Sequence, residues 1–361
     1  GMFEKLGKNQ STILPAGSYD PSANDLSGVW QAWSIISKSL ESIDSDITAN
    51  DLEEAAVHGL LRGLGNPYTK YLDSNRYELE HQDLYSQYEG IGAAVDIADG
   101  QLTLTQVFDD SPSDHAGLEI GDVILEANGI SLSGLTAAQA VLHIRGPENT
   151  PVELLVKRPE NPHQQVVTVI RAFVEQPSVD WSEVVIGQDT IVYIKISEFL
   201  DNTGEKLESV LHETLAEGYK GIILDLRGNP GGLLNSTVEV ASHFLEQGLV
   251  MYHIDTHGNK IEFPIVSGGL ALQLPLVVLA NEFSASGSEV LVGAIQDYDR
   301  ATVIGRQTFG KGSVNELRKL SDGSGLYLTA ALWYTPSGRP IEGVGLKPDV
   351  EVFNERLIIR T

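Results

Sequence analysis

The spacing of apolar residues changes twice along the chain, and each change marks a different kind of structure. Residues 1–22 show no periodicity and are expected to form a loose leader. In the segment 23–85, apolar residues recur every three or four positions in VWQAWSIISKSL and LEEAAVHGLLRGL, which predicts two helices. Gly65, Asn66 and Pro67 end the second helix because neither glycine nor proline continues a helix easily. A packing or dimerisation face is our interpretation of the apolar stripe on the first helix, which consists of Trp30, Trp33, Ile36 and Leu40.

From Gly90 onward the apolar residues form short β-like runs that are separated by turn signals. A short helix is predicted over TAAQAVLHIRG, and strands are predicted over PVELLVKR and QQVVTVIRAFV. Turns are predicted at Asp99-Gly100, Ser111-Pro112, Gly121-Asp122 and Asn128-Gly129. These elements predict a compact domain of five or six strands and one or two helices over residues 86–175.

A third pattern begins at about Val179, where predicted strands and helices alternate. TIVYIKI, GIILDL and PLVVLA are predicted strands, and the helices GEKLESVLHETLAEG and NSTVEVASHFLEQG lie between them. This alternation is typical of βα units with a parallel or mixed sheet. We therefore assign residues 176–361 to an α/β domain and the whole chain to the α/β (α+β) class.

Composition narrows the classes of partner and of chemistry. The chain carries a net charge of −26 and has no cluster of lysine or arginine, so nucleic acid is excluded as a partner. It contains no cysteine, which excludes thiolate chemistry and disulfides. The longest apolar run, GGLALQLPLVVLA at 268–280, is shorter than the roughly 18–20 residues of a membrane helix. The first residues do not resemble a signal peptide, and an upstream export or anchor segment is an expectation.

The segment NEFSASGSEV at 281–290 is the first candidate for chemistry. It follows a predicted strand and opens a predicted helix, so its hydroxyl groups lie near free helix N–H groups that favour negative charge. Such a position suits a nucleophile whose carbonyl target becomes an oxyanion. It also suits helix capping, because Ser286 and Glu289 have the spacing of a capping box. From this segment alone, the cap is the favoured interpretation.

A nucleophilic serine needs a base, and lysine is the better candidate in this chain. The nine histidines are scattered without a pattern and no HExxH motif occurs, so no metal site is predicted. Lys311 lies between Gly310 and Gly312, where burial and close backbone would favour a neutral amine. The alternative is a surface lysine in a glycine turn. A phosphate-binding loop is rejected, because Gly312 stands where serine or threonine would bind magnesium.

A second candidate site is the loop Gly90-Ile91-Gly92, whose glycines leave backbone N–H groups open to an anion. The strand that starts at Ala93 could pair with an extended peptide, although an ordinary tight turn is the alternative. Together with the downstream segment SPSDHAGLEIGDVILEANG, this loop resembles the carboxylate-binding loop of a PDZ domain. The resemblance implies that Gly90, Ile91, Gly92 and Ala93 bind the C-terminus of a protein substrate.

The wider chain resembles the carboxy-terminal processing peptidases of peptidase family S41, which are serine proteases with a Ser–Lys dyad. That family pairs an SASASE-like stretch with FGKG, and Lys311 follows Ser286 by the family spacing of 25 residues. Three further stretches match in family order, namely GNPYTKYLD at 65–73, ILDLRGNPGGLL at 223–234 and YTPSGRPIEGVGLKPDVEV at 334–352. The resemblance covers roughly residues 50–352. It implies a crotonase/ClpP-like βα protease core with an inserted PDZ domain and a helical N-terminal segment.

The resemblance also implies roles for the residues of the protease core. Ser286 would attack the scissile carbonyl, and Lys311 would act as the general base and then protonate the leaving amine. The N–H groups of Gly287 and Gly231 would stabilise the oxyanion, with Gly232 as the alternative to Gly231. Such a mechanism requires no metal and no organic cofactor.

The activity implied by the resemblance is an endopeptidase that cleaves near the C-terminus of unfolded or exported proteins. The implied location is extracytoplasmic, in a bacterial periplasm or cell envelope. A homo-oligomer and a membrane tether outside this sequence are compatible with it. Arg145 would report peptide binding to the protease domain, or it is simply a favourable residue at a helix C-terminus.

Two departures from the family pattern leave alternatives open. Asn315 stands where the family commonly has glutamine, and its shorter amide reaches less far towards Lys311. Gly287 stands where the family usually has alanine. These departures support an inactive, peptide-binding scaffold as the first alternative. A crotonase-like acyl-CoA enzyme is the second, because its core fold is related.

Overall fold

The computed structural model describes residues 27–40, 48–65, 69–74, 76–77, 86–159, 163–255 and 257–352. The leader predicted over 1–22, and Asn66 and Pro67 at the predicted helix end, lie outside these residues. The chain divides into two compact units, the first containing 1–77 and 315–330 and the second containing 78–314 and 331–361. The domain boundaries drawn from the sequence stay predictions.

The first unit contains α1 (Ser27–Leu40), α2 (Ala49–Leu64) and β1 (Lys70–Leu72). α2 begins at a capping box between Thr48 and Asp51 and ends at Gly65, whose left-handed backbone agrees with the predicted helix end. β1 pairs with the start of β18 (Gly325–Tyr334), which also pairs with β17 (Ser313–Lys319).

α1 exposes much of the apolar stripe that the sequence shows. Trp30 is 64% exposed and Ile36 is 46% exposed, whereas Trp33 is half-buried. The side chain of Leu40, the fourth member, lies outside the described part of the structure. The stripe is therefore only partly covered in the single chain.

The second unit begins with a small β-rich domain, in which β2 (Gln87–Gly90) pairs antiparallel with β9 (Ala172–Glu175). The main sheet of this domain has the order β3-β4-β5-β7-β8, with β6 beside β5. Its strands are β3 (Ala93–Ala98), β4 (Gln101–Val107), β5 (Val123–Ala127), β6 (Ile130–Ser131), β7 (Pro151–Lys157) and β8 (Gln164–Ile170). The helices are α3 (Pro112–His115) and α4 (Ala137–Ile144). Leu104, Val152 and Leu154 are fully buried in its core, which agrees with the alternating pattern of the sequence.

The rest of the second unit is built on a six-stranded sheet of order β10-β11-β12-β15-β16-β19. Its strands are β10 (Val179–Ile186), β11 (Asp189–Ile196), β12 (Ile222–Asp225), β15 (Leu276–Ala280), β16 (Thr302–Gly305) and β19 (Val350–Glu351). All neighbours are parallel except β10, which pairs antiparallel with β11. The connecting helices are α5 (Thr203–Glu217), α6 (Leu234–Ser242) and α7 (Gly287–Asp297). The predicted α/β class with its βα units is therefore confirmed.

The helix predicted over NSTVEVASHFLEQG is shorter than predicted, because α6 ends at Ser242. The N–H groups of Phe244 and Leu245 both donate to the carbonyl of Ala241, so the chain leaves the helix in a tight turn. This turn buries both apolar side chains in the core. The chain continues into β13 (Leu249–Asp255) and β14 (Lys260–Pro264), and β13 also pairs with residues 331–334 of β18.

The parallel strands bring three loops to one edge of the sheet. β12 and β15 are in register, with Asp225 opposite Leu279, and β16 continues the register with Gly305 opposite Ala280. Because the carboxyl ends of parallel strands meet at the same edge, the loops that follow these strands lie side by side. These loops contain the segments RGNPGGLL, NEFSASG and RQTFGKG.

Candidate active site

The three serines of the turn between β15 and α7 differ in accessibility. Ser284 and Ser288 are fully buried, and their hydroxyl groups donate to the carbonyl groups of Leu226 (2.8 Å) and Asn229 (3.0 Å). Ser286 is half-buried. Ser286 is therefore the most accessible of the three, and it is also the one that the spacing to Lys311 selects.

Ser286 has a strained backbone, with φ of 53° and ψ of −115°. A non-glycine residue in such a conformation typically costs about 1–3 kcal/mol, and it persists only where the surroundings hold it. The N–H of Ala285 donates to the carbonyl of Asn229 (3.0 Å), and the N–H of Ser286 donates to Glu289 Oε2 (3.0 Å). A serine on a sharp, strained strand-to-helix turn is typical of exposed nucleophiles in hydrolases. The capping contact expected from Glu289 is also present, so the same turn fits both the helix-cap and the nucleophile interpretation.

The RGNPGG loop lies directly against this turn. A Cβ atom added to Gly231 would be 2.7 Å from Ser286 Cβ and 3.0 Å from the backbone nitrogen of Gly287. Gly231 also has a φ of 109°, which disfavours any residue with a side chain. The close approach of the two segments therefore requires glycine at position 231.

The packing around Gly287 leaves no space for the alanine that the family resemblance implied at this position. A Cβ atom at this position would be 2.6 Å from Thr237 Oγ1 and 3.1 Å from Phe199 Cδ2. Thr237 in α6 thus occupies the space that an alanine methyl group would need. The substitution is matched by its neighbours and leaves the backbone N–H in place.

The backbone donors near Ser286 are arranged differently from the first expectation. The N–H of Gly231 donates to Asn229 Oδ1 (2.8 Å), and the carbonyl of Gly231 accepts from the N–H of Phe199 (2.8 Å). Because the peptide is trans, the N–H of Gly232 points away from Phe199. Among the described residues, the N–H groups of Gly232 and Gly287 have no hydrogen-bond partner. The candidate oxyanion donors in the described structure are therefore the N–H groups of Gly287 and of Gly232, the alternative that the sequence left open.

Lys311 lies where two chain segments cross closely, and it is half-buried. A Cβ atom on Gly310 would be 3.0 Å from the nitrogen of Gly345, and one on Gly312 would be 2.2 Å from the nitrogen of Glu342. Both flanking glycines are buried, so this segment differs from an open surface turn. The glycines allow the lysine backbone to approach residues 342–345.

Glu289 joins the serine turn to the lysine segment, and the sequence indicated only its capping role. Its side chain is fully buried, and its Oε1 accepts from Thr308 Oγ1 (2.6 Å) and the N–H of Gly310 (2.7 Å). Its Oε2 accepts from the N–H groups of Lys311 (2.8 Å) and Ser286 (3.0 Å). Burial raises the pKa of the Glu289 carboxyl, and the four donated hydrogen bonds oppose this rise.

Asn229 is a second buried polar residue that sequence reasoning did not single out. Its Nδ2 donates to the carbonyl of Ile196 (3.0 Å), and its Oδ1 accepts from Gly231. It ties the RGNPGG loop to β11 while its carbonyl accepts from the serine turn. Asn315, by contrast, lies in β17, where its Oδ1 accepts from Thr329 Oγ1 (3.0 Å), and its support of Lys311 stays a prediction.

The candidate peptide loop, residues 90–93, has its carbonyl groups turned inward. The carbonyl of Ile91 accepts from the N–H of Ser113 (2.8 Å), and the carbonyl of Gly92 accepts from the N–H of Phe108 (3.0 Å). Ser113 Oγ donates to the same two carbonyl groups. In the described part of the chain, the N–H groups of Ile91 and Gly92 have no partner, so they are available to an anion.

Beside this loop, β3 is an edge strand that begins at Ala93 and pairs only with β4 among the described strands. α4 packs near β3, and Arg145 caps the C-terminal end of α4. The guanidinium of Arg145 lies over the ring of Tyr88 at 4.4 Å, and its Cγ is 3.7 Å from a Cβ atom built on Gly90. The structure therefore brings Arg145 to the base of the candidate peptide loop.

None of the helices in the described residues is long and apolar enough to cross a membrane. Within the same ranges, no group of three or more histidine, aspartate or glutamate side chains is placed to hold a metal ion.

Comparison with known proteins identifies the family. The sequence model of Peptidase family S41 matches residues 190–352, and that of a PDZ domain matches residues 103–158. The carboxy-terminal processing protease CtpB of Bacillus subtilis is 32% identical over 353 residues, covering 96% of this chain and 72% of that protein. A probable CtpA-like serine protease of Staphylococcus haemolyticus is 34% identical over 306 residues, covering 84% of this chain. The match spans 60% of the length of the Staphylococcus relative.

A solved structure agrees with these matches. The photosystem II D1 C-terminal processing protease superposes with a TM-score of 0.56 at 27% identity, covering 90% of this chain and 87% of that one. Both predicted resemblances, to PDZ domains and to family S41, are thereby confirmed. This chain belongs to the carboxy-terminal processing proteases of peptidase family S41, and it carries a PDZ domain.

Proposed function

We propose that the chain is a serine endopeptidase in which Ser286 and Lys311 form a catalytic dyad. One observation carries this proposal. Ser286 is a half-buried serine on a strained strand-to-helix turn, and the neighbouring Gly232 and Gly287 offer backbone N–H groups. Such an arrangement suits attack on a carbonyl group whose oxygen becomes negative.

In the first step, Ser286 Oγ would attack the scissile carbonyl while Lys311 Nζ accepts the hydroxyl proton. The N–H groups of Gly287 and Gly232 would stabilise the oxyanion of the tetrahedral intermediate. Lys311 would then donate its proton to the leaving amine, which leaves an acyl-enzyme on Ser286 and a neutral lysine. Water would then attack the acyl-enzyme while Lys311 Nζ accepts its proton; the acyl–Oγ bond breaks, and the lysine returns the proton to Ser286 Oγ, so no cofactor is required.

The PDZ domain would bind the C-terminus of a protein substrate. The free N–H groups of Ile91 and Gly92 suit a terminal carboxylate, and the edge strand from Ala93 suits an extended peptide. Arg145 lies at the base of this loop and is proposed to report the occupied state to the protease core. Unfolded or exported proteins with exposed C-termini are the substrate class that follows.

The proposal includes a setting for the enzyme. The family resemblance supports an extracytoplasmic location, in a periplasm or cell envelope, with a membrane tether outside this sequence. The exposed Trp30 and Ile36 of α1 support association into a homo-oligomer. Fractionation of cells that produce the full-length protein would test the location, because an exclusively cytosolic protein would contradict it.

The decisive experiment measures cleavage of an unstructured protein with an apolar C-terminus between pH 6 and pH 10. We expect Ser286→Ala and Lys311→Ala each to lower kcat by more than 1,000-fold, roughly the scale at which removal of a nucleophile or its base acts. Ser133→Ala and Lys347→Ala change exposed residues of the same types and should behave like wild type.

The same experiment separates the alternatives. Wild-type protein that binds the peptide but does not cleave it would favour the scaffold. Binding of coenzyme A by the wild type would favour the acyl-CoA enzyme. The glycine at position 287 was one of the two departures that supported the scaffold. It is weaker support now, because the side chain of Thr237 takes the space that an alanine methyl group would need.

A further inference from the structure

We propose that Glu289 is a positioning residue of the dyad, fixing the serine turn relative to the lysine segment. We further infer that its negative charge balances the ammonium form of Lys311. This inference rests on the proposed Ser286–Lys311 mechanism. It extends that mechanism to a residue that touches neither the substrate nor the reacting atoms.

The first argument is geometric. A single carboxylate oxygen, Oε2, accepts from the backbone N–H of the candidate nucleophile (3.0 Å) and from that of the candidate base (2.8 Å). The two residues are far apart in sequence and belong to loops after different strands. The N–H of Phe309 also donates to the carbonyl of Ser284 (3.0 Å), but Glu289 holds the backbone of the two dyad residues themselves. Fixing their separation matters, because a misplacement of about 1 Å can lower a catalysed rate roughly 100-fold.

The second argument concerns the charge of Glu289. Its two oxygens accept four hydrogen bonds, from Thr308, Gly310, Lys311 and Ser286. Thr308 Oγ1 itself accepts from the N–H of Leu346 (2.8 Å), which directs the hydroxyl hydrogen to Glu289. A protonated carboxyl would place its own hydrogen against one of these donors. The arrangement therefore fits an ionised carboxylate.

The third argument is electrostatic. Glu289 Oε2 is 2.8 Å from the backbone nitrogen of Lys311. Because the lysine side chain has a fixed length, its Nζ lies within roughly 10 Å of the carboxylate. Proton transfer from the serine creates an ammonium at Nζ, and a buried negative charge at this range is only weakly screened. Glu289 would thus favour the state in which the lysine holds the proton.

Few other charges face this crossing from the described elements around it. Glu342 accepts from the N–H of Gly312 (2.8 Å) and is half-buried, so it is the second negative group beside the lysine. Two ion pairs lie in the neighbouring loops, Arg306 with Glu282 (2.8 Å) and Arg227 with Asp225 (2.6 Å). The opposite charges within each pair nearly cancel at a distance, so we compare Glu289 with Glu342.

The test is the rate at which a small serine-directed acylating probe reacts with the full chain between pH 6 and pH 10. Because the probe is small and is not a peptide with a C-terminus, its reaction does not require peptide binding by the PDZ domain. For Glu289→Gln we expect about a 100-fold lower rate at the optimum, because the amide NH2 group must face either the N–H of Gly310 or the two N–H groups of the dyad, which displaces one segment. We also expect the acidic limb of the profile to move down by about one pH unit. Removing a negative charge favours the neutral lysine at lower pH.

Two variants separate charge from geometry. Glu289→Asp keeps the charge but is too short to reach both segments, so its rate should fall at least tenfold with an unmoved acidic limb. Glu342→Gln removes a partly solvated charge and should leave the rate within about threefold of wild type. Thermal unfolding and peptide binding to the PDZ domain would show which variants are folded.

The outcomes distinguish this inference from the proposed function. Wild-type acylation that does not depend on Ser286 would overturn the dyad, and the role of Glu289 would fall with it. Dyad-dependent acylation with Glu289→Gln within threefold of wild type would overturn the role of Glu289 alone. If Glu289→Gln is acylated slowly but the acidic limb of its pH profile does not move, the charge-balancing role of Glu289 would be overturned and its positioning role would stand. If Glu289→Gln does not fold, the rate of Glu289→Asp decides, because a wild-type rate would reject the positioning role.

Discussion

The peptide loop at residues 90–93 and the serine turn at residues 284–287 both offer backbone N–H groups to a negatively charged oxygen, yet they are built differently. The loop is followed by an edge strand, and its carbonyl groups are held by Ser113 and by the N–H of Phe108. The turn stands at the start of α7, includes a strained serine, and is held by the main-chain carbonyl of Asn229 and the buried side chain of Glu289.

The difference follows from how long each anion lasts. A peptide carboxylate is a stable ligand, and strand pairing along β3 can add most of the affinity. An oxyanion exists only near the transition state, so the donors must already be oriented when it forms. A network of buried acceptors provides that orientation at the turn, whereas the loop needs only open N–H groups and space. Variants that change one site should therefore leave the other unchanged.

Among the variants that compare these two sites, the largest effect is expected for Gly231→Ala on acylation. The new Cβ atom would be 2.7 Å from Ser286 Cβ and 3.0 Å from the carbonyl oxygen of Ala285, so the serine turn or the loop must move. We expect the acylation rate to fall at least 100-fold, equivalent to about 3 kcal/mol of transition-state stabilisation. Peptide affinity of the PDZ domain, measured by fluorescence anisotropy, should not change.

Gly228→Ala is the matched control for this variant. Gly228 lies in the same loop and also has a positive φ, of 78°, but a Cβ atom there meets nothing within 4 Å. Its cost should be limited to backbone strain of about 1 kcal/mol in stability, with the acylation rate nearly unchanged. Equal loss of activity in both variants would show that loop strain alone matters, and not contact with the serine.

A smaller effect is expected at the peptide loop for Gly92→Ala. Its Cβ atom would be 2.4 Å from Ser111 Cβ and 3.2 Å from Val174 Cγ1, which would displace the loop N–H groups. We expect the affinity for a carboxylate-ended peptide to fall at least tenfold, or about 1.4 kcal/mol, with no change in acylation by the small probe. Gly100→Ala is the control, since Gly100 has the same φ of 75° in open space.

Peptide chemistry provides a second control for the loop. A C-terminally amidated peptide should bind wild type as weakly as the free acid binds the Gly92→Ala variant, because the amide carries no charge for the N–H groups. Equal binding of both peptides by wild type would contradict the assignment of the loop as a carboxylate site.

The sequence was informative wherever residue type or spacing carries the signal. The alternation of strands and helices, the PDZ segment and the spacing from Ser286 to Lys311 were all readable before the structure. The roles of Asn229 and Glu289 were not, because both side chains accept from backbone N–H groups. Every residue except proline has a backbone N–H group, so the sequence does not show which of them an asparagine or glutamate side chain will accept from. Gly231 was named as an oxyanion donor for the same reason, since the sequence cannot show that Asn229 already accepts its N–H.

The smallest expected effect is that of Gly287→Ala, which restores the residue of the family pattern. In this chain the added methyl group would be 2.6 Å from Thr237 Oγ1, so we expect acylation to fall about tenfold as the donor N–H shifts. Thr237→Ala alone removes a methyl group and a hydroxyl that donates to the carbonyl of Leu233, the residue before α6, and it should retain activity. The double variant should recover most of the wild-type rate, because the methyl group added at position 287 then has space. An unrescued double variant would show that the turn needs the backbone freedom of glycine, and not merely the room that Thr237 takes.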